Sequence, residues 1–382
     1  MAEPYMIEPD VKFIKEIGVL GGEDLKKCYQ CATCSVVCPI SPDNHPFPRK
    51  EMIAASWGLK DRLVGNADIW LCHNCGDCST YCPREAKPGD VLAACRAYAI
   101  TDYAVPKKLG QMVNDPKKLW LLLAFPAVLF IVLGMVLKVF GIHWLNFSPT
   151  GDEIVHAKFF STWLVDLIFI PAAIFAVTVF AIGVKRFLHD IHQNALMEGK
   201  TDKEKIDPVG FVKALGRVIP TILKHRKFSQ CTENVERATP HMMVLFGFIG
   251  LFIVTNIFFV TLYVFQIHGP YSQLNPVKWL ANVAGVALII GALLMIKNRL
   301  DKPEQNTTYK DWSLIGLVLA LGVSGMLAQM TRLAGAANLS YFVYFIHLVF
   351  VFCLFVYVPY SKLAHLVYRT LAMGYAEYSN RK

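Results

Sequence analysis

The apolar residues of the chain are concentrated after Lys118, whereas the first hundred or so residues have the mixed pattern of a water-soluble domain. A helix needs about 20 apolar residues to cross roughly 30 Å of hydrocarbon. Six later stretches approach or exceed that length: 119–140, 163–184, 242–266, 277–296, 314–330 and 341–358. The pattern predicts an all-α protein in which a soluble domain, residues 1–110, precedes a six-span transmembrane helical bundle, residues 111–382.

Positive charges in the loops predict the orientation, because loops rich in Lys and Arg stay in the cytoplasm. Basic residues cluster just before the first span, between residues 185 and 240, where eleven occur, and between 297 and 311, where four occur. All of these segments fall on the side of the soluble domain, and six spans return the C-terminus to it. We therefore predict an inner-membrane protein with both termini in the cytoplasm. The N-terminal residues include no apolar secretory core.

The formal net charge of +9 raises the question of nucleic acid. Membrane topology already explains where the basic residues lie, so we expect no nucleic-acid partner. Segment 206–228 interleaves basic residues with apolar residues at helical spacing, and it predicts an amphipathic helix. Two interpretations stay open for this helix: contact with the membrane lipid surface, or a docking surface for a soluble protein.

Eight of the eleven cysteines form two runs of identical spacing. In each run, three cysteines lie at two-residue intervals and a fourth follows after three residues, directly before a proline. This spacing is typical of two-cluster ferredoxins, in which the fourth cysteine of each run binds the other cluster. Zinc sites use paired cysteines instead, and a reducing cytoplasm disfavours disulfides. We predict a helical domain with two [4Fe–4S] clusters.

The ligand sets follow from this exchange of the fourth cysteine. We predict that the first cluster is bound by Cys28, Cys31, Cys34 and Cys82. The second cluster is then bound by Cys72, Cys75, Cys78 and Cys38. The three other cysteines stand alone and are expected to be ordinary thiols: Cys95, Cys231 and Cys353.

Ionisable residues in a bilayer are costly and suggest function, which draws attention to histidines near the spans. His347 and His365 are 18 residues apart, five helical turns, so they share a helix face at depths that differ by roughly 27 Å. One helix with a ligand at each depth fits a stack of two b-type haems. His241 begins the third span level with His365, and we predict that these two bind the haem on the cytoplasmic side.

The outer haem and the quinone site have competing candidates. For the outer haem we predict that His347 is paired with His156, and His268 and His143 are the alternatives. A quinone is the natural redox partner in the lipid phase. Asp166 is our candidate for its site, although a hydrogen bond between helices would also explain an acidic residue there. Three further histidines are expected to be solvated: His189, His192 and His225.

The cysteine domain resembles the small iron–sulfur subunit of heterodisulfide reductases. The membrane part resembles the cytochrome b subunit of those enzymes and, more distantly, the gamma subunit of respiratory nitrate reductase. The stretch that begins at His241 is similar to that family's first haem helix, and the spacing of His347 and His365 is similar to its last. The sequence departs from the nitrate-reductase pattern at Leu251, where a second histidine is expected. Fusion of both modules resembles the C subunits of quinone-interacting membrane-bound oxidoreductase complexes of sulfate reducers.

This resemblance implies two soluble flavin and iron–sulfur partner subunits, and electron transfer between menaquinol and adenylylsulfate reductase. We therefore predict the electron-transfer subunit of an oxidoreductase complex, without an independent site for reducing the sulfur substrate. Two alternatives stay open. One is the membrane subunit of a heterodisulfide or disulfide reductase, and the other is a haem-free membrane anchor for a ferredoxin module.

Overall fold

The computed structural model describes residues 8–147, 149, 153–225, 232–302 and 306–380. It is 74% helical, and the described residues contain one isolated β-bridge, between Leu145 and Phe160. The predicted all-α class is confirmed.

The N-terminal domain consists of short helices wrapped around the two cysteine runs. They are α1 (Val11–Ile17), α2 (Thr33–Val36), α3 (Arg49–Ser56), α4 (Lys60–Val64), α5 (Asp68–Leu71), α6 (Asp77–Thr80), α7 (Pro88–Tyr103) and α8 (Lys107–Val113). The central helix is α7, which packs against α1, α3, α4, α5 and α6. Pro88 at its first turn needs no backbone donor there, which suits a helix start.

Nine further α-helices occur in the part of the chain after residue 118 that the structure describes. They are α9 (Leu119–Val139), α10 (His156–Phe159), α11 (Thr162–Met197), α12 (Pro208–Lys224), α13 (Ala238–Tyr263), α14 (Pro276–Leu300), α15 (Tyr309–Leu333), α16 (Ala337–Tyr357) and α17 (His365–Tyr378). Six are long and apolar enough to cross a membrane: α9, α11, α13, α14, α15 and α16. The six predicted spans therefore correspond to six helices. We call the membrane face next to residues 8–110 the domain side and the opposite face the far side.

Helix α11 continues well past the predicted end at Val184, to Met197. Its 36 residues give a length of about 54 Å, of which hydrocarbon needs only about 30 Å. The additional turns bury Phe187, Ile191 and Ala195 among residues of the N-terminal domain. The predicted span, 163–184, lies within α11, and the chain stays helical where it leaves the apolar region.

The N-terminal domain and the ends of the membrane helices share one hydrophobic core. Buried side chains of α1, α3, α5 and α7 form a single cluster with Phe187 of α11, Phe211 of α12, and Tyr368 and Tyr375 of α17. A second cluster joins α9, α11 and α16 within the bundle, and a third joins α13, α14 and α15. The cysteine domain is therefore built onto the domain side of the bundle.

The amphipathic helix predicted over 206–228 is observed as α12. Asp207 caps it, since its carboxylate accepts hydrogen bonds from Val209 N at 3.1 Å and Gly210 N at 2.9 Å. The helix ends at His225, which adopts a left-handed conformation with φ of 48°. Residues 226–228 of the predicted segment, and Cys231 after it, lie outside the described residues.

Candidate functional site

The two cysteine runs fold into the same loop. In the first run Gln30 and Ala32 have φ of 68° and 70°, and in the second Asn74 and Gly76 have φ of 53° and 103°. These pairs occupy equivalent positions on either side of the second cysteine of each run. Left-handed residues reverse the chain direction twice within one run, and each loop then enters a four-residue helix, α2 or α6. The identical spacing therefore corresponds to identical backbone geometry.

The structure brings thiols together across the two runs. Burial raises the pKa of Cys34 to about 11, and the next causes are the neighbouring thiols of Cys28, Cys31 and Cys82. A nearby thiolate raises the pKa of a thiol because like charges disfavour one another at short range. The contribution of Cys82 to the pKa of Cys34 therefore indicates that Cys82, of the second run, lies beside the first run. These four cysteines are the predicted ligands of the first cluster.

The reciprocal grouping occurs around Cys38. Burial raises the pKa of Cys38 to about 12, and the thiols of Cys72 and Cys75 contribute in the same direction. Burial likewise raises the pKa of Cys78 well above its usual value, and the thiols of Cys72, Cys75, Cys38 and Cys34 contribute in the same direction. Each run therefore places its fourth cysteine beside the other run, as expected from the exchange of ligands in two-cluster ferredoxins.

Each thiol group offers four sulfur ligands, the number that a [4Fe–4S] cluster requires. Among the described residues, no three His, Cys, Asp or Glu side chains converge closely enough to bind one metal ion. The four thiolates of a [4Fe–4S] cluster bind four different irons, so they lie farther apart than the ligands of a tetrahedral zinc. Several thiols also receive hydrogen bonds, including one from Asn74 N to Cys72 Sγ at 3.3 Å and one from Ala86 N to Cys82 Sγ at 3.4 Å. The donor set fits two cubane clusters.

The two thiol groups differ in exposure. Cys31 is exposed, and Cys28 and Cys34 are partly exposed, whereas Cys72, Cys75 and Cys78 are buried. Val36, which follows the first loop, is 84% exposed. The first group therefore faces solvent and the second faces the interior of the molecule.

The buried group is held against the membrane helices by its loop backbone. Arg369 of α17 donates to Cys72 O at 3.1 Å, and Arg237 donates to Asn74 O at 3.1 Å. Asn234 donates to Cys75 O at 2.6 Å. Hydrogen bonds from charged donors are among the stronger ones in proteins, so the second loop has a fixed position on the domain side.

An aromatic cluster lies beside this contact. The Tyr368 ring stacks on Trp70 with centroids 5.3 Å apart and on Tyr103 at 5.7 Å, and it meets the edge of Phe187 at 5.5 Å. Trp70 precedes Cys72 by two residues, and Tyr368 follows His365 by three. The cluster therefore joins the second cysteine loop to the helix that carries a predicted haem ligand.

His241 and His365 come together on the domain side, with ring centroids 6.5 Å apart. Two imidazoles that would bind one metal ion can have centroids up to about 6.3 Å apart, from a metal–nitrogen bond of about 2.0 Å and about 1.15 Å from nitrogen to ring centre on each side. His365 Nδ1 lies 2.7 Å from Lys362 O. A carbonyl only accepts, so Nδ1 carries the proton and the Nε2 lone pair is available, a common arrangement for metal-bound histidine. Burial lowers the pKa of His365 to about 3, which keeps the ring neutral.

The expectation that His192 and His225 are solvated was wrong. His225 lies against His241, with ring centroids 4.9 Å apart, because the left-handed turn at the end of α12 directs it towards the bundle. His192 is buried, and its Nδ1 is 2.7 Å from Tyr375 Oη. His189 is exposed, as expected.

His347 and His156 have separate surroundings. His347 Nδ1 lies 2.9 Å from Ser324 Oγ, and a side chain at Gly325 would approach His347 Cε1 to 3.1 Å. His156 stacks on Tyr344 with centroids 4.5 Å apart, and its Nε2 lies 2.9 Å from Ser340 Oγ. Each of the two histidines is therefore positioned by its own serine, Ser324 of α15 for His347 and Ser340 of α16 for His156.

The other far-side candidates also have identifiable contacts. Asp166, in the first turns of α11, accepts a hydrogen bond from the Tyr263 hydroxyl at the end of α13. This is the bond between helices that was the alternative explanation for Asp166. His268 is exposed in the loop between α13 and α14, with Nδ1 2.9 Å from Gln266 O, and His143 is exposed after α9.

Comparison with known proteins supports the iron–sulfur domain. Residues 24–86 match the family model of the 4Fe-4S dicluster domain. The chain is also similar to a protein of Archaeoglobus profundus that is named for its likeness to the C subunit of heterodisulfide reductase, with 32% identity over 106 residues, 28% of this chain and 56% of the relative. The chain therefore spans little more than half the length of that relative. No solved structure matches the chain significantly. An iron–sulfur electron-transfer domain joined to membrane-spanning helices defines the class of the protein.

Sequence reasoning did not identify Trp70, Tyr368, Arg369 and His225 as parts of the site. Their contacts join segments far apart in the sequence, such as the Arg369–Cys72 hydrogen bond across 297 residues. The sequence feature that could have indicated this contact is Arg369, one helical turn after His365 on the helix that leaves the bundle on the domain side.

Proposed function

We propose that this chain is the membrane electron-transfer subunit of an oxidoreductase complex, and that it connects a quinol site in the bilayer to a soluble acceptor. The observation that carries the proposal is the short connection on the domain side. His241 and His365 have the spacing of two ligands of one metal ion, and Arg369, one turn after His365, is hydrogen-bonded to the loop of the second cysteine group.

The chain would hold its redox groups through two sets of thiols and one pair of imidazoles. Cys28, Cys31, Cys34 and Cys82 would bind one [4Fe–4S] cluster, and Cys72, Cys75, Cys78 and Cys38 would bind the other. His241 and His365 would bind haem b. Bound in this way, the clusters and the haem supply one-electron redox centres, and their potentials depend on ligands, hydrogen bonds and burial. A second haem b, with His347 and His156 as its ligands, remains part of the proposal.

The chain's own residues would fix the distance between these sites. Arg369 holds the second cysteine loop by its carbonyl oxygens, and the rings of Trp70, Tyr103 and Tyr368 exclude water from the junction. The exposed first group, next to Val36, supports electron exit to a soluble flavin and iron–sulfur partner on the domain side.

The far side would supply the quinol site. Asp166 and the Tyr263 hydroxyl form a hydrogen-bonded pair there, and His156 is stacked on Tyr344. A carboxylate and an imidazole are suited to accept the protons that quinol oxidation releases. Menaquinol as donor and adenylylsulfate reductase as final acceptor, in sulfate respiration, complete the proposal and rest on resemblance alone.

A second candidate function is membrane subunit of a disulfide reductase. The similarity of part of the chain to the Archaeoglobus profundus protein, whose name refers to heterodisulfide reductase, favours it. In that case the same clusters would serve a disulfide-reducing partner. A haem-free anchor for the ferredoxin module is the simplest competing outcome.

Anaerobic optical titration of the purified full-length protein tests these alternatives. With a menaquinol analogue as reductant, we expect reduced haem b bands together with bleaching of the iron–sulfur absorbance. His241→Ala and His365→Ala should each abolish the same haem band, whereas His189→Ala, an exposed histidine of α11, serves as the matched control and should keep it. Iron–sulfur absorbance without haem bands would establish the anchor, and loss of different bands in the two variants would refute the pairing.

A further inference from the structure

Helix α12 uses one face to pack against α17. Phe211, Ala214 and Val218 are buried, and the ring of Phe211 meets Tyr378 with centroids 6.2 Å apart. Arg217 forms an ion pair with Glu377 at 2.8 Å beside this face. Leu215 also packs on α17, against Gly374, and the exposed hydrophobic residues of α12 lie outside this inward face.

A second apolar stripe runs along the outer side of α12. Val209 and Val212 are 63% and 65% exposed, and Ile219 and Leu223 are exposed as well. Together with Gly216 they recur at alternating intervals of three and four residues, the seam spacing by which one helix packs against another. The stripe therefore has the pattern of a helix–helix interface in which α12 supplies one of the two helices.

The direction of α12 follows from its neighbours. The Tyr368 ring meets Phe187, and further along both helices Tyr375 Oη lies 2.7 Å from His192 Nδ1. Helix α17 therefore runs parallel to the end of α11, which crosses the membrane as one continuous helix and projects beyond it. For this reason α17 leads away from the bilayer.

Helix α12 runs antiparallel to α17. Its beginning lies at the distal end of α17, where Asp207 N donates to Tyr378 Oη at 2.9 Å, and its end lies at the membrane edge, where His225 meets His241. By helical rise, the first half of α12 stands about 15–20 Å beyond the hydrocarbon. The helix is therefore upright, and the part with Val209 and Val212 is out of contact with lipid.

The charge beside the stripe indicates the chemistry of the missing helix. Lys213 and Lys224 are exposed and lie along one flank of the stripe, on the same side as Arg217, which is paired with Glu377. We propose that this stripe is the docking site for an acidic amphipathic helix of a soluble partner protein. The surface is separate from the electron path, so the proposal does not depend on haem or quinone.

Site-specific photo-cross-linking in cells that express the full-length chain provides the first test. With p-benzoylphenylalanine at position 212 or 219, we expect an adduct whose partner peptide is an acidic amphipathic helix. The same group at Val19, which is 88% exposed on the N-terminal domain, is the control and should give no such adduct. Adducts with phospholipid would show that the stripe contacts the bilayer and would overturn the proposal, as would adducts at neither position.

A second test measures retention of the cross-linked partner on the purified complex. Val212→Glu combined with Ile219→Glu should lower the affinity by at least about tenfold, with iron–sulfur absorbance unchanged, whereas Val19→Glu should keep wild-type affinity. Raising salt from about 50 to about 300 mM should weaken the wild-type complex, because exposed charge pairs are screened. Wild-type retention by the double variant would overturn the docking site, while haem reduction by quinol reports separately on the proposed function.

Discussion

Replacing Tyr368 by leucine would test the aromatic junction between the N-terminal domain and the membrane helices. The side chain is 1% exposed and contacts rings from three other segments. Leucine keeps much of the apolar volume and removes the ring. The change therefore isolates ring packing from burial, and it leaves the cysteines and His365 in place.

The expected cost follows from the three ring contacts of Tyr368, with Trp70, Tyr103 and Phe187. Each such pair contributes about 0.5–1.5 kcal/mol beyond burial, and the cavity left by a smaller side chain adds to the loss. We expect Tyr368→Leu to destabilise the protein by about 2–4 kcal/mol, which lowers Tm by roughly 2–5 °C for a chain of this length. Tyr368→Phe retains the ring and should cost less than about 1 kcal/mol.

Thermal unfolding in detergent, followed by intrinsic fluorescence, measures the difference. Absorbance of the iron–sulfur clusters at room temperature should be the same in the wild type and in both variants, and cluster release into a chelator on warming should be fastest in Tyr368→Leu. A Tm for Tyr368→Leu within about 1 °C of wild type would refute the contribution of ring packing. An equal loss in Tyr368→Phe would assign the effect to the hydroxyl instead.

Three further sets of substitutions have separate expected outcomes. Cys82→Ser should remove the electron paramagnetic resonance signal of the exposed cluster, which a water-soluble relaxing agent can reach. Cys38→Ser should remove the signal of the buried cluster. The reverse assignment would contradict the exchange of ligands. Gly374→Ala should destabilise by about 1–3 kcal/mol, because a Cβ there would overlap the side chain of Leu215 in α12, whereas Gly216→Ala, with nothing within 4 Å, should be neutral or stabilising in thermal unfolding. Burial raises the pKa of Asp90 to about 6, so its ionisation opposes folding increasingly from about pH 4 to about pH 6 and by a constant amount at higher pH. Asp90→Asn should therefore add about 1–2 kcal/mol at pH 8 and nothing below about pH 4, and an equal Tm gain at both pH values would disprove this cause.

The features predictable from sequence were those encoded within a short stretch of chain. The repeat of Cys28–Cys38 and Cys72–Cys82 is enough to specify two equivalent loops, because each loop turns at fixed positions within the run. Apolar length likewise identified the six spans. His241 and His365 could be paired because each lies at the domain-side end of a predicted span. The expectation that His347 and His365 share one helix was wrong, because α16 ends at Tyr357 and α17 begins at His365.

The features that could not be predicted depend on packing between distant segments. Polar residues after Val184 obscured the continuation of α11, whose last turns are stabilised by contacts with the N-terminal domain. Likewise, basic surroundings suggested that His225 is solvated, and the turn that directs it to His241 arises from a left-handed residue that no local pattern requires. The separate environments of His156 and His347 depend on serines of α15 and α16.

The shared core also determines the order in which the protein can mature. Tyr368 and Tyr375, in the last helix, complete the core that encloses Trp70 and Cys72. From Cys82 to Tyr368 the ribosome adds 286 residues (368 − 82), which takes roughly 15–60 s at bacterial rates of synthesis. During that interval the cysteine loops are made but lack one wall of their site. The second cluster can therefore be inserted stably only after the C-terminal helix has been made. Loss of α17 should leave a protein that reaches the membrane but lacks the second cluster.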